Sequence, residues 1–197
     1  MKFLVVGSTG LIGSYVAKTL SKHGTVIGVS RTTQISVDVK DPASIKAMYE
    51  KVGKVDAVAS CIGKVAFKPV AELTYEDYLM GLKDKALGQV ELVRAGIDFL
   101  NDGGSFTLMT GVLARDPIPA GSVAALANGA IESFTLAAAI DLPRGIRINT
   151  VSPNVLVEAT SYHASFPGFH QVTAQSVADA YVKSILGKQT GQIYKLD

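Results

Sequence analysis

The sequence predicts a doubly wound α/β fold, a parallel sheet of about seven strands with helices on both faces. Short apolar runs alternate with helix-periodic segments roughly every 25–30 residues, and only right-handed crossovers around a parallel sheet bury both apolar sides of such strands. A glycine-rich turn stands where the first apolar run becomes the first helical segment. A chain of 197 residues that is 48% hydrophobic and 18% charged fills one sizeable core, so a single domain over residues 1–197 is expected and disorder is excluded.

Lys2–Val6 reads as strand one and Leu11–Leu20 as the helix after the turn. Val26–Val29 is the second strand and Ile35–Val39 a third. Asp41-Pro42 supplies an N-cap and a first-turn proline for a helix to about Val52. Val55–Ser60 follows as strand four. Thr74 with Asp77 three positions on opens one long amphipathic helix, continued at helical spacing from Leu79 to Leu100. Ser105–Thr110 is strand five, Ser122 caps a helix to about Ile140, and Ile146–Val151 is strand six. A helix over Ser176–Leu186 and a last strand over Gln192–Leu196 complete the pattern, with 154–174 as loop.

Several classes of function are excluded. Nineteen Lys and Arg against 17 Asp and Glu, without basic runs, leave no nucleic-acid footprint. The single Cys61 forms neither an intramolecular disulfide nor a multi-thiolate metal site, so no metal is expected. The opening apolar run stops at Gly7, too short for a signal peptide, and Asn128, Glu132 and Asp141 interrupt the most apolar stretch, which argues against a membrane span. A cytoplasmic setting is expected.

In such sheets ligands bind beyond the carboxyl ends of the strands, which directs attention to residues 7–13, 30–31, 60–63, 109–111 and 152–158. Gly7-Ser8-Thr9-Gly10-Leu11-Ile12-Gly13 turns tightly, admits a diphosphate against bare backbone and aims helix N–H groups at it, so a dinucleotide is the expected ligand. Ser30 and Arg31 end strand two. A guanidinium there holds a ribose 2′-phosphate where an acid would repel it, which favours NADP(H) over NAD(H). Asp38 and Val39 are candidates at the adenine. Cys61, Ile62 and Gly63 end strand four, where glycine lets backbone approach the cofactor ribose, and no activating pattern surrounds Cys61.

Together, the glycine loop, the Asp38-Val39 pair, Ser60–Gly63 and Arg-Gly-Ile-Arg-Ile-Asn-Thr-Val-Ser-Pro at 144–153 resemble the short-chain dehydrogenase/reductase family over nearly the whole chain. The resemblance implies a Rossmann fold, and it puts Pro153 and Asn154 beside the nicotinamide, where the family has Pro-Gly. It also implies an Asn-Ser-Tyr-Lys set for proton transfer. Here those positions carry Lys85, Gly111, Ala124 and Asn128, and residues 112–143 hold no tyrosine or lysine at all. A one-residue slip gives Thr110 the serine role. Glu158 replaces a threonine expected after strand six. Tyr162, His163 and His170, in the following loop, are further candidate acids.

Losing a positioned general acid slows proton transfer by about 10²–10⁴, whereas holding a dinucleotide depends on other residues. One expectation is therefore an NADP(H)-dependent oxidoreductase for an unassigned carbonyl, alcohol or quinone, with Thr110, Lys85, Tyr162 or His163 as relocated proton donor. The alternative is a non-catalytic NADP(H)-binding sensor or regulatory protein, and a purely structural subunit is the third. The resemblance implies a homodimer or homotetramer through the two long helices, although Ala124, Ala125, Ala127 and Ala130 suit burial against the sheet equally well.

Overall fold

The computed structural model describes residues 1–197. β1 (Lys2–Val6) has no polar face: Leu4 and Val6 are buried in one core and Phe3 and Val5 in another, so a layer must cover each side. The remaining strands are β2 (Thr25–Val29), β3 (Val55–Ser60), β4 (Leu100–Met109), β5 (Arg147–Pro153) and β6 (Ile193–Leu196). They form one parallel sheet in the order β2-β1-β3-β4-β5-β6. Helices α1 (Leu11–Leu20) and α6 (Ala174–Leu186) pack together on one face through Val16, Leu20, Val177 and Tyr181. On the other lie α2 (Pro42–Val52), α4 (Gly88–Gly96) and α5 (Ser122–Ala138), with Ile45, Tyr49, Leu92 and Ile131 in their shared core. β1 lies between β2 and β3, so the winding reverses there and a crevice opens beyond the carboxyl ends of these three strands.

The sheet has six strands, because Ile35–Val39 is not one of them. Only five residues separate it from the end of β2, and a parallel neighbour needs a crossover of about a dozen or more. What forms instead is a single bridge between Ser30 and Ser36, with Thr33 accepting the Ser30 N–H at 2.7 Å.

The long helix expected from Thr74 to Leu100 is also divided. Thr74 and Asp77 form the capping box that their spacing predicts, opening α3 (Tyr75–Gly81). A π-helical segment, Leu82–Leu87, then leads into α4, and a 3₁₀ turn, Ile97–Phe99, ends it. The wider turn accompanies a buried anchor. Gln89 donates its amide to the carbonyls of Lys85 (3.0 Å) and Met109 (2.8 Å) and accepts the Met109 N–H (2.8 Å), tying the helix to the end of β4.

Smaller differences follow from local chemistry. β4 starts at Leu100 instead of Ser105, its first residues forming an irregularity opposite Val55–Ala57. Gly121, not Ser122, is the N-cap of α5, and the Ser122 hydroxyl, one position too far in, has no partner. The 154–174 segment contains a 3₁₀ turn, Thr160–Ser165. Ala124 and Ala127 of α5 are buried while Ala130 is exposed, so the first two pack inward.

The 144–153 stretch explains its own composition. Arg144 donates to the carbonyls of Ile97 and Leu100, and Arg147 to those of Ser184 and Ile185 at the end of α6. Asn149, fully buried, donates to Ser184 Oγ and the Gln189 carbonyl and accepts the Gln192 N–H, which seats β6 beside β5. No helix is long and apolar enough to cross a membrane.

Gln89→Leu leaves the buried N–H and C=O of Met109 without these partners. It is expected to lower stability by about 2–4 kcal/mol, read as a shift in the midpoint of urea unfolding at constant slope.

Candidate functional site

The turn after β1 is held open by backbone alone. Gly7 donates its N–H to the Val29 carbonyl at 2.8 Å and takes a φ of +84°, which L side chains rarely adopt. A Cβ on Gly7 would lie 2.7 Å from the Cys61 carbonyl oxygen. One on Gly13 would lie 2.0 Å from that of Gly7. Gly13 is therefore a packing glycine that lets α1 start directly on the turn, and no side chain caps that helix. Its first-turn N–H groups stay available at the rim.

A cavity of about 280 Å³ opens there. Among the predicted residues, Gly7, Thr9, Gly10, Ser30, Arg31, Asp38, Val39, Cys61, Ile62 and Gly63 line it. Ser8, Leu11, Ile12 and Gly13 do not; Ser8 turns its hydroxyl to the Val29 carbonyl, and Leu11 is exposed at the helix start. Arg31 is exposed and makes no hydrogen bond or ion pair within the chain. The Ser30 hydroxyl accepts the Thr32 N–H at 3.1 Å, and Asp38 accepts that of Lys40 at 3.0 Å. Lys40, Lys64 and Asp84 also line the cavity. No motif marks them in the sequence, because only the folded loops bring them to Arg31.

A second cavity, about 380 Å³, shares Cys61–Lys64 with the first and extends past the ends of β4 and β5. It gathers Lys85, Thr110, Gly111, Ala124, Asn128, Pro153 and Asn154, which are far apart in sequence, among mostly apolar neighbours such as Phe67, Val112, Leu113 and Phe166. Several of its polar groups are already committed. Thr110 donates its hydroxyl to Glu132 at 3.0 Å, as does Ser152, so the Thr110 oxygen retains only acceptor capacity. Arg115 donates to Ser152 and pairs with Asp197. Asn154 accepts the Val155 N–H through its side chain.

Apart from the exposed Lys64 and Tyr162, two polar groups are uncommitted. Asn128 is 2% exposed, donates to the Gly111 carbonyl at 3.3 Å, and leaves its Oδ1 without a partner. Lys85, half-buried on the π-helical segment, has no acceptor for its ammonium, and burial lowers its pKa to about 8 despite the neighbouring Asp84. Of the three candidate acids Tyr162, His163 and His170, only Tyr162 reaches this cavity, its ring tilted against Phe67 at 6.2 Å between centroids. His163 instead contacts the Leu156 carbonyl at 2.9 Å, His170 lines neither cavity, and Glu158 accepts the Ala174 N–H where α6 begins.

Two adjoining cavities along the carboxyl edge of a parallel sheet, one entered over a bare glycine turn, define a dinucleotide-binding type of oxidoreductase fold. Residues 10–191 match the family described as Enoyl-(Acyl carrier protein) reductase, and the chain belongs to the short-chain dehydrogenase/reductase family, whose members bind a nicotinamide cofactor. The structure superimposes on the protein lin1944 from Listeria innocua with a TM-score of 0.98 at 49% identity, covering 100% of both chains. It is also similar to a small-chain dehydrogenase in complex with NADPH, with a TM-score of 0.89 at 27% identity over 100% of this chain and 96% of that one. Hydroxynaphthalene reductase arp2 of Aspergillus fumigatus is 26% identical over 76% of this chain, which spans 64% of that protein's length.

Cys61 adjoins both cavities, yet burial pushes its thiol up to about 12, so the thiolate is nearly absent at neutral pH. Iodoacetamide at about pH 8 is expected to leave Cys61 unmodified in the folded chain and to alkylate it in urea, as mass spectrometry will read.

Proposed function

We propose that this chain is an NADP(H)-dependent oxidoreductase of the short-chain type, acting in the cytoplasm on compact apolar carbonyl or quinone compounds. The observation that carries this reading is the pairing of the bare turn at Gly7 with the unengaged guanidinium of Arg31 on the same cavity. A diphosphate suits that turn because any Cβ on Gly7 or Gly13 would collide with backbone, while the first N–H groups of α1 stay uncapped. Gly7, Thr9 and Gly10 would hold the diphosphate and Ser30 with Arg31 the ribose phosphate, with Asp38 and Val39 toward the adenine. Cys61–Gly63 would then flank the second ribose, and Pro153 and Asn154 the far end. When bound, such a cofactor supplies or accepts a hydride.

The protein's own residues determine what else happens. Apolar side chains of the second cavity exclude water and favour a hydrophobic substrate. The orphaned Asn128 Oδ1 is an acceptor for a ligand hydroxyl, its amide held by the Gly111 carbonyl. Thr110 accepts but does not donate while its proton is engaged by Glu132.

NADPH is expected to bind about 10–100-fold more tightly than NADH, the gain of one charge-assisted guanidinium–phosphate contact. Arg31→Ala should remove this preference and leave NADH binding unchanged. Isothermal titration measures both, and absence of heat with either dinucleotide refutes the reading. A second reading, a non-catalytic NADP(H)-binding sensor or regulatory protein, is favoured by Ala124, which offers no polar atom, and by the engaged Thr110 hydroxyl. NADPH binding without oxidation across a panel of aldehydes, ketones and quinones would select it.

We further propose that copies associate as dimers or tetramers through α4 and α5, since Leu126 and Leu136 of α5 and Ile140 just beyond its end are exposed. Sedimentation equilibrium should then return a multiple of 20.7 kDa, and a monomer at all concentrations refutes association.

A further inference from the structure

The second cavity contains one group with no role in the architecture. The Lys85 side chain crosses Gly63, where a Cβ would lie 2.7 Å from its Cγ and 2.9 Å from its Cδ, so its stem rests on the peptide that separates the two cavities. Its backbone carbonyl is pinned by Gln89, which is itself bonded to the end of β4. Stem and backbone are thus both held, while the ammonium of this cavity-lining residue has no hydrogen-bond acceptor in the protein, Asp84 acting on it only through space. Helical segments of the π type recur at functional sites because they aim one residue out of the regular phase, and Leu82–Leu87 places Lys85 in this way.

The geometry points to Lys85 as the proton donor for the oxidoreductase reading above, set over the second cavity to protonate the carbonyl oxygen of a compact apolar aldehyde, ketone or quinone. In reduction the Nζ–H bond breaks and an O–H bond forms on the substrate oxygen, while the carbon gains the hydride that the reduced dinucleotide of that reading provides. The amine left behind regains its proton from water. An apolar chamber of about 380 Å³ suits one or two aromatic rings, and the buried, unpartnered Oδ1 of Asn128, a residue 2% exposed, offers the product hydroxyl an acceptor.

Desolvation supports the assignment, since an amine titrating at about 8 is still protonated at neutral pH and releases its proton far more readily than an ordinary lysine. The titratable groups that share the cavity are Cys61, Lys64 and Tyr162, with Asp84 adjacent on the same helical segment. Because the acid form acts in reduction, the rate should fall as pH rises through about 8.

The test assays wild type, Lys85→Met and Lys85→Arg with NADPH and either 4-nitrobenzaldehyde or 9,10-phenanthrenequinone between about pH 6 and pH 10. Lys85→Met should lower kcat about 100-fold with little change in KM and flatten the alkaline limb. Lys85→Arg keeps the charge without an exchangeable acid of suitable pKa, and should not restore the rate. A Lys85→Arg protein as active as wild type overturns the proposal.

A second measurement needs no turnover. Acetylation by acetic anhydride, read peptide by peptide, should show Lys85 half-reactive at about pH 8. The 4-nitrobenzaldehyde, losing water to form an imine that cyanoborohydride then reduces, should accumulate on Lys85 before other lysines. A midpoint near that of a free lysine, about 10.4, with no adduct at Lys85, overturns the proposal whether or not a carbonyl is reduced. Turnover of neither carbonyl by a chain that binds NADPH overturns the donor role as well. If wild type binds no dinucleotide, the oxidoreductase reading falls instead, and the labelling still reports on Lys85.

Discussion

The contact on which the rest depends is between two stretches of backbone, the carbonyl of Gly7 and the bare α-carbon of Gly13. A side chain at position 13 would occupy the place of that carbonyl, so helix α1 would have to lift off the sheet. With glycine there, α1 begins immediately after β1 and packs against α6, and its amino end opens beside the ends of β2 and β3. The first cavity is therefore a product of how closely two backbones approach rather than of any particular polar side chain.

The second cavity follows a different logic, visible in which polar groups are already satisfied. Thr110, Ser152, Glu132 and Arg115 bond to one another and support the wall. Buried polar groups ordinarily have partners, so the exceptions are informative. Asn128 Oδ1 and the Lys85 ammonium stand out on one chamber, carried by two helical segments that pack against each other.

Much of the architecture was legible in the sequence because its signals are local. The glycine turn, the Asp41-Pro42 helix start and the Thr74–Asp77 box each act within one turn of chain, and all three appear where their spacing puts them. Apolar periodicity alone misled at Ile35–Val39, where connection length forbids a crossover, and across Thr74–Leu100, where Gln89 bonds to a strand distant in sequence. The candidate site divides in the same way. Gly7, Gly10 and Arg31 were readable from motif position, but Lys40, Lys64 and Phe67 join the cavities only through folded loops. The commitment of Thr110 to Glu132, 22 residues away, has no sequence signal.

The peptide at Gly63 belongs to both chambers, and the stem of Lys85 lies on it with no slack. A side chain at position 63 would collide with that stem and intrude on both compartments at once. The bareness of this single residue thus sets the shape of two neighbouring rooms.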